Sequence, residues 1–545
     1  MGRLNYYQSL IISEIRRGVL YATGNLNYYQ SLIITEPICE NPYFNPRNPC
    51  FNQCNPCPTF APVNREFIVN ILFLVFINLL IKPFFIFGIN LAVQNRTGQE
   101  YGLYFALMNL TYIFQILNDF GIQGFNNRHI SQHPQLLPKY FPNLLALKIV
   151  LSVVYIFISL GLAWTMQYDR RALFLLLILL VNQVLIQMVL FLRSNISGLG
   201  HYRIDSILSS MDKLLMLVTC GLLLWTHPPG RALPIESFAL AQTVPLLLTA
   251  LIAFMILRSK VTFRVRPSWA DNWRAGYPML VVLFRSSLPY ALVVFLMFAY
   301  TRLDGVLLER FSGKAHAEVF AGAYRVLDAC NMLGYLFASL LLPMFARMQR
   351  QPEQVKPLLQ LSFRLIWAGS VSLAAAICLS RQELVQLMMP THASPYRWDT
   401  LGVLIWVFVP VSTTYIFSTL LTAHGKVAQM NRFFIVGICL NAGLNFLLIP
   451  RWQAFGSAIA AVATQSFIAL SMIWLVLKTF KWQPSFRKML EIPGFVAFIL
   501  LADFLIMQET PFVWYIKMAL CAAACLPGLL VFRWVKLVKQ GSRIF

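Results

Sequence analysis

Charge is scarce in this 545-residue sequence. Only 12% of its residues are Asp, Glu, Lys or Arg, about half of the roughly 25% usual in a soluble protein. With 58% hydrophobic residues and a mean hydropathy of +0.64, that deficit excludes a water-soluble enzyme and points to an all-α, polytopic membrane protein. Acidic residues are scarcer still, 21 against 44 Lys and Arg. Histidines number 7 and are scattered, so no metal site is expected. No GxxxxGK[ST] loop, HExxH helix or GxSxG elbow occurs, and no catalytic constellation stands in for them. The chain therefore reads as a non-enzyme with no cofactor. A signal peptide is absent too, since no basic start leads into an apolar run with a small-residue cleavage site. No connection between apolar runs is large enough to be a domain, which confines function to the bilayer or its surface.

The first 64 residues stand apart. LNYYQSLII occurs at 4–12 and again at 26–34, followed by the Asn-Pro-rich NPYFNPRNPCFNQCNPCP. Two repeats are too few for a solenoid, and Asn-Pro pairs mark turns. Residues 1–64 are expected to be a low-complexity, disordered leader; a start assigned too far upstream is the alternative. Of the 10 cysteines, Cys39, Cys50, Cys54 and Cys57 lie here. Cys50, Cys54 and Cys57 form C-x3-C-x2-C without the His or second CxxC that would complete a zinc site. The others sit in apolar runs as small hydrophobes.

About 20 apolar residues cross a bilayer as a helix. Fourteen candidate spans follow: 67–93, 101–118, 141–165, 172–192, 204–225, 234–257, 286–304, 318–345, 358–379, 400–423, 433–450, 453–477, 492–507 and 512–532. With the leader in the cytoplasm, the inner loops and C-terminal tail hold 23 Lys and Arg and the outer loops 9. The positive-inside rule then puts both termini in the cytoplasm. It also accounts for the net charge of +23 without nucleic acid. The densest block, RSKVTFRVRPSWADNWR at 258–274, reads as a linker between two halves. The predicted division is an N-terminal six-helix lobe (65–257), a basic cytoplasmic linker (258–285), a C-terminal six-helix lobe (286–480), and two extra helices with a basic tail (481–545). Aligning Gly102 with Gly322 also aligns Tyr104 with Tyr324 and Leu107 with Leu327, which supports two parallel halves. Transporters commonly bind cargo between such halves near the midplane.

Charges inside the spans are the candidate site. Each costs roughly 2.5–3.5 kcal/mol at a helix centre on insertion scales, so each should face water, a partner or a ligand. Arg302, Asp304, Arg325 and Asp328 cluster in the seventh and eighth spans. Arg325 and Asp328 are three apart, on one helical face, with Tyr324 a turn before Asp328. Structural pairing of Arg325 with Asp328 competes with a cargo role. Arg302 and Asp304, two apart, cannot share a face, so one is expected to contact cargo and the other a neighbouring helix. Lys82 precedes Pro83, where a kink can open the backbone toward a cavity. Lys148, Arg364 and Lys517 lie near span ends and are expected to snorkel; Lys213 and its neighbour Asp212 should point in different directions. Asp119 and Arg128, with His129 and His133, fall at the inner surface, where headgroup contact or a gate are the alternatives.

The chain resembles the polysaccharide-biosynthesis flippases (the O-antigen and lipid-linked oligosaccharide translocases) of the multidrug/oligosaccharidyl-lipid/polysaccharide exporter superfamily. GQEYGLYFALMNL at 98–110, LNDFGIQGFNNR at 117–128, FLRSNISGLGHYRIDSILSSMDKLL at 191–215, SLPYALVVFLMFAYTRLDGVLL at 287–308 and AYRVLD at 323–328 carry the likeness. It runs from about residue 64 to the C-terminus. It implies a V-shaped pair of six-helix lobes, two extra C-terminal helices and alternating access around a cationic cavity. The implied cargo is an undecaprenyl-diphosphate-linked oligosaccharide, moved from the inner to the outer leaflet of a bacterial inner membrane. A polysaccharide polymerase and glycosyltransferases are the implied partners beyond the bilayer. Lys82, Arg302 and Arg325 would be the cavity cations, with Tyr104, Tyr300 and Tyr324 lining the sugar path. One rival is a cation-coupled multidrug exporter, which would benefit from a carboxylate in the first lobe; span 67–93 has none and carries Lys82 instead. The other is a membrane glycosyltransferase or polysaccharide polymerase, disfavoured because the largest outer loop, 380–399, lacks paired carboxylates.

Overall fold

A computed structural model describes residues 84–122, 135, 137–227, 233–261, 273–348, 352–390, 392–482, 486–509 and 513–531, all within one compact unit, Glu66–Phe545. The leader with its four cysteines, Lys82, Pro83, Arg128, His129, His133 and most of the basic 258–274 block lie outside the described residues. Every regular element is helical. A π-turn at Phe85–Ile89 runs into α1 (Asn90–Thr97), followed by α2 (Gln99–Phe114), α3 (Ile116–Asp119), α4 (Leu137–Thr165), α5 (Arg170–Gly198), α6 (Tyr202–Thr226) and α7 (Ile235–Lys260). The second half has α8 (Trp273–Ser312), α9 (Lys314–Arg347), α10 (Pro352–Leu379), α11 (Arg381–Met388), α12 (Pro395–Leu404), α13 (Phe408–Ala423) and α14 (Val427–Phe480). Three helices close the chain: α15 (Phe486–Glu509), α16 (Trp514–Ala523) and α17 (Cys525–Val531).

Eight helices among the described residues are long and apolar enough to cross a membrane, and the stretches Pro493–Ile506 and Trp514–Gly528 are shorter apolar helices. One of the eight, α14, is a hairpin. Its 54 residues turn at Gln453, the only non-helical position within it (φ 45°), just after Pro450. Beyond the turn the arms run back alongside each other: Ser457 donates to Asn445 Oδ1 at 2.9 Å, though the two are 12 residues apart. The spans expected at 433–450 and 453–477 are these two arms. Helix α8 starts at Trp273, inside the stretch read as linker, because GYPMLVVLF is apolar enough to continue the helix. Asp169 caps α5, its carboxylate accepting from the Ala172 amide.

In lipid, helices gain little from hiding apolar surface, so close packing and interhelical hydrogen bonds hold them together. Helix α2 lies along α8 and α9 through ring contacts, Phe105 to Tyr324 at 5.8 Å and Tyr112 stacked on Phe298 at 6.2 Å. At the end marked by the left-handed turns of Gly98 and Gly313, Gly102 lets α2 touch the backbone of α9. Its internal match Gly322 lies against Gln94 and Met389. Small residues are thus placed where the two halves cross. Helices α15 and α16 dock on α10, where Trp367 meets Phe495.

A Cβ at position 102 would sit 1.9 Å from the Lys314 carbonyl oxygen and 2.7 Å from the Glu318 nitrogen, and both are backbone. Gly102→Val is expected to lower the melting temperature of the detergent-solubilised protein, at a cost of about 1–3 kcal/mol. Gly161→Ala and Gly369→Ala, with nothing within 4 Å, should leave it unchanged or slightly raised.

Candidate functional site

Arg302 on α8 is clamped between two rings, Tyr324 at 5.0 Å and Tyr112 at 5.3 Å from its guanidinium carbon. The Tyr324 hydroxyl donates to the Thr301 carbonyl and the Tyr112 ring is held by Phe298, so both faces of the clamp are fixed. The planar fork of the guanidinium points at Asp328, with Nη1 and Nη2 at 3.3 and 3.4 Å from the two carboxylate oxygens. Arg302 is 16% exposed and Asp328 38%; the carboxylate is the more exposed member.

The pairing of Arg325 with Asp328, weighed as the alternative to a cargo role, is not the one formed. Asp328 joins Arg302 on the neighbouring helix, not Arg325 on its own. Arg325 instead lies over the Tyr101 ring at 5.1 Å. It is 7% exposed, and neither Nη1 nor Nη2 finds a hydrogen-bond acceptor among the described residues. A buried guanidinium in that condition is costly unless something else supplies the anion.

Asp304 faces away from this pair. Its Oδ1 accepts from Asn441 at 2.9 Å and Asn445 at 2.7 Å, both on the first arm of α14, and it is 2% exposed. It ties α8 to the hairpin. Asn441 and Asn445 went unnoticed in the sequence, although their spacing of four in an apolar span puts both amides on one face. Tyr104 and Tyr300 are likewise packing residues: Tyr104 meets Gln242 and Phe238, and Tyr300 meets Phe434.

Two further expectations fail. Lys148 does not snorkel; it is fully buried and bonds Asp119 at 2.8 Å, with its ammonium 5.7 Å from the Phe191 ring centre. Asp119 therefore contributes to helix packing between α3 and α4, and its neighbour Asn118 accepts from Ser152. Lys213 and Asp212 do not diverge but pair at 3.2 Å, the ammonium lying 5.6 Å from the Phe85 ring centre.

Contacts between the first and second halves gather at the Gly98–Gly313 end. Glu318, 4% exposed, accepts from Gln94 and from both Nη atoms of Arg397. Tyr168 donates to Glu309 at 2.7 Å, and Arg310 donates to the Met166 carbonyl while covering the Tyr168 ring at 4.4 Å. Burial first, then the Glu309 carboxylate, pushes the Tyr168 phenol well above its ordinary value, so it stays a donor. Glu100 bonds Lys314 and Arg171. A void of about 20 Å³ beside Arg397, bordered by Val319, Gly322 and Met389, has room for a single water. That end is closed, whereas past Asp328 the α9 side chains Leu333, Tyr335 and Phe337 are exposed. Among the described residues no group of His, Cys, Asp and Glu is arranged to hold a metal.

The model of the polysaccharide biosynthesis protein family matches residues 68–349, more than half of the chain. The chain belongs to that family. No curated protein sequence matches it significantly. Among solved structures, the polysaccharide biosynthesis chain is similar to lipid II flippase MurJ in an inward closed conformation, with TM-score 0.62 and 12% identity over 86% of this chain and 98% of that one. It is also similar to a multidrug resistance MATE transporter of the MOP superfamily, inward-facing, with TM-score 0.58 and 15% identity over 75% and 100%. An outward-facing structure of a MATE family transporter gives 0.53. At such identities these likenesses establish the fold alone, an all-helical one shared with those proteins, as expected from the sequence.

Two stability measurements follow from the geometry. Arg325→Met removes a buried cation whose Nη atoms have no acceptor among the described residues and should raise the melting temperature of the purified protein by about 2 °C or more. Lys148→Met removes the buried cation beside the Asp119 carboxylate and should cost up to about 3 kcal/mol, part of which Asp119→Leu in the same chain restores.

Proposed function

We propose that this member of the polysaccharide biosynthesis family is a flippase. It carries a polyprenyl-diphosphate-linked oligosaccharide, of the undecaprenyl class, from the cytoplasmic to the outer leaflet of a bacterial plasma membrane for surface polysaccharide assembly. The observation that carries this reading is Arg325, buried with its donors unspent, one helical turn from the Asp328 that holds Arg302. A guanidinium suits a phosphate, which it binds through paired charge-assisted bonds; Arg302 offers such a fork and Arg325 adds a second positive charge on the neighbouring helix. The flanking rings of Tyr101, Tyr112 and Tyr324 offer faces for sugars. The N-terminal half (65–257) and C-terminal half (286–480) are the two moving bodies, with both termini in the cytoplasm and the Gly98–Gly313 end outermost. The closed contacts at that end and the exposed flank of α9 beyond Asp328 then fit a state that receives cargo from the cytoplasmic side.

The energetics agree. A diphosphate headgroup carries about two negative charges, and a bacterial interior is negative, so outward transfer is favoured by about 2.3 kcal/mol per charge per 100 mV. The polyprenyl tail stays in lipid. Asp304 favours a second reading, since a buried carboxylate with no cationic partner among the described residues is what a cation-coupled multidrug exporter uses. Its place among the asparagines of α14, away from the Arg302 cleft, counts against cargo contact.

In cells lacking the chromosomal copy, lipid-linked oligosaccharide should accumulate on the cytoplasmic leaflet. Arg302→Ala or Arg325→Ala should reduce glycan export at least about tenfold, a loss of about 1.4 kcal/mol, with no change in drug susceptibility. Full export by both variants would remove the basis for the proposal; altered drug resistance would favour the exporter, and sugar-nucleotide turnover by purified protein would favour a transferase.

A further inference from the structure

Arg302 and Asp328 are unequal partners. The guanidinium is fixed on both faces, by Tyr324 and Tyr112, each ring itself anchored. The carboxylate has no such restraint: at 38% exposure it is the accessible member of the pair, and its two contacts, at 3.3 and 3.4 Å, are longer than the 2.7–2.9 Å of a well-made charge-assisted bond. One turn away Arg325 is buried, its Nη1 and Nη2 without an acceptor among the described residues. The site thus contains Arg302, a loosely held carboxylate and a second guanidinium one turn along α9.

We propose that Asp328 is an internal competitor: its carboxylate occupies the fork of Arg302 when the site is empty, a diphosphate displaces it, and its return helps to expel the cargo. This rests on the reading of the site as one for a phosphate-bearing lipid. The competitor sets a threshold. A singly charged anion gains little by replacing a carboxylate of equal charge, whereas a diphosphate brings more than one charge to the Arg302 fork and can displace Asp328 from it. Asp328 is therefore a specificity-determining and release residue, and it keeps Arg302 neutralised while the site returns empty.

The test measures binding of three probes to purified full-length protein in detergent: farnesyl diphosphate, farnesyl monophosphate and inorganic pyrophosphate. Asp328→Asn is expected to bind farnesyl diphosphate at least tenfold more tightly than the wild type, and to gain measurable affinity for the monophosphate. Asp328→Glu, which keeps the carboxylate, should stay within about threefold of the wild type. The Asp328→Asn gain should vanish in an Arg302→Gln background. In cells Asp328→Asn should export less glycan despite binding better, because release slows; a merely structural role would weaken both. Inorganic pyrophosphate binding as tightly as the prenyl form would assign the site to a free anion and not a lipid head. Unchanged or weaker binding by Asp328→Asn, with Arg302→Gln still weakening the wild type, overturns the competitor and leaves the cationic site standing. Failure of Asp328→Asn and Asp328→Ser alike to accumulate as folded protein also overturns it, making Asp328 a structural partner. If Arg302→Gln and Arg325→Gln both retain wild-type affinity, or no form binds any probe, the site reading itself fails.

Discussion

A charge in hydrocarbon must be answered by another charge, by water or by a ligand, and that constraint organises this protein. Three of its intramembrane charges are answered within the chain: Lys148 by Asp119, Lys213 by Asp212, and Asp304 by two asparagine amides. Arg302 is answered by a carboxylate that is itself partly exposed. Arg325 has only the face of Tyr101 and no hydrogen-bond acceptor among the described residues. Lys148 with Asp119 and Asp304 with its asparagines hold helices together; Arg302 and Arg325 with Asp328 leave surplus positive charge, and surplus positive charge suits an anionic head.

The packing keeps these two kinds of charge apart. Asp304 and Arg302 are two residues apart on α8, hence on different faces of the helix. One face is committed to the α14 hairpin and the other to α2 and α9. Because α8 is held on the hairpin side, Arg302 has a fixed base. The clustered polar contacts at the Gly98–Gly313 end complete the arrangement. Glu318, Glu309 and Glu100 each bind a residue of the other half, and all three contacts must break before that end can open.

Hydropathy and charge made much of this legible in advance. The runs of about 20 apolar residues, the intramembrane position of Arg302, Asp304, Arg325 and Asp328, and the likeness to polysaccharide flippases all follow from residue order. Partner choice did not. Arg325 and Asp328 are neighbours on one helix, but a guanidinium drawn to a tyrosine face and a carboxylate drawn to a stacked arginine are tertiary outcomes that spacing cannot express. Lys148 looked free to snorkel because Asp119 lies 29 residues away, across an interhelical connection. Asn441 and Asn445 are 137 and 141 residues from Asp304, so only the fold could join them. Where a pairing is local, sequence pattern constrains it; where it spans helices, the packing decides.

Native mass spectrometry of the protein extracted gently with its own lipids puts the central claim to the most direct test. A polyprenyl-diphosphate-linked glycan should remain bound to the wild-type chain and be absent from the Arg302→Ala/Arg325→Ala double variant. Retention of the same lipid by the double variant, or a bound lipid without phosphate, would contradict the account.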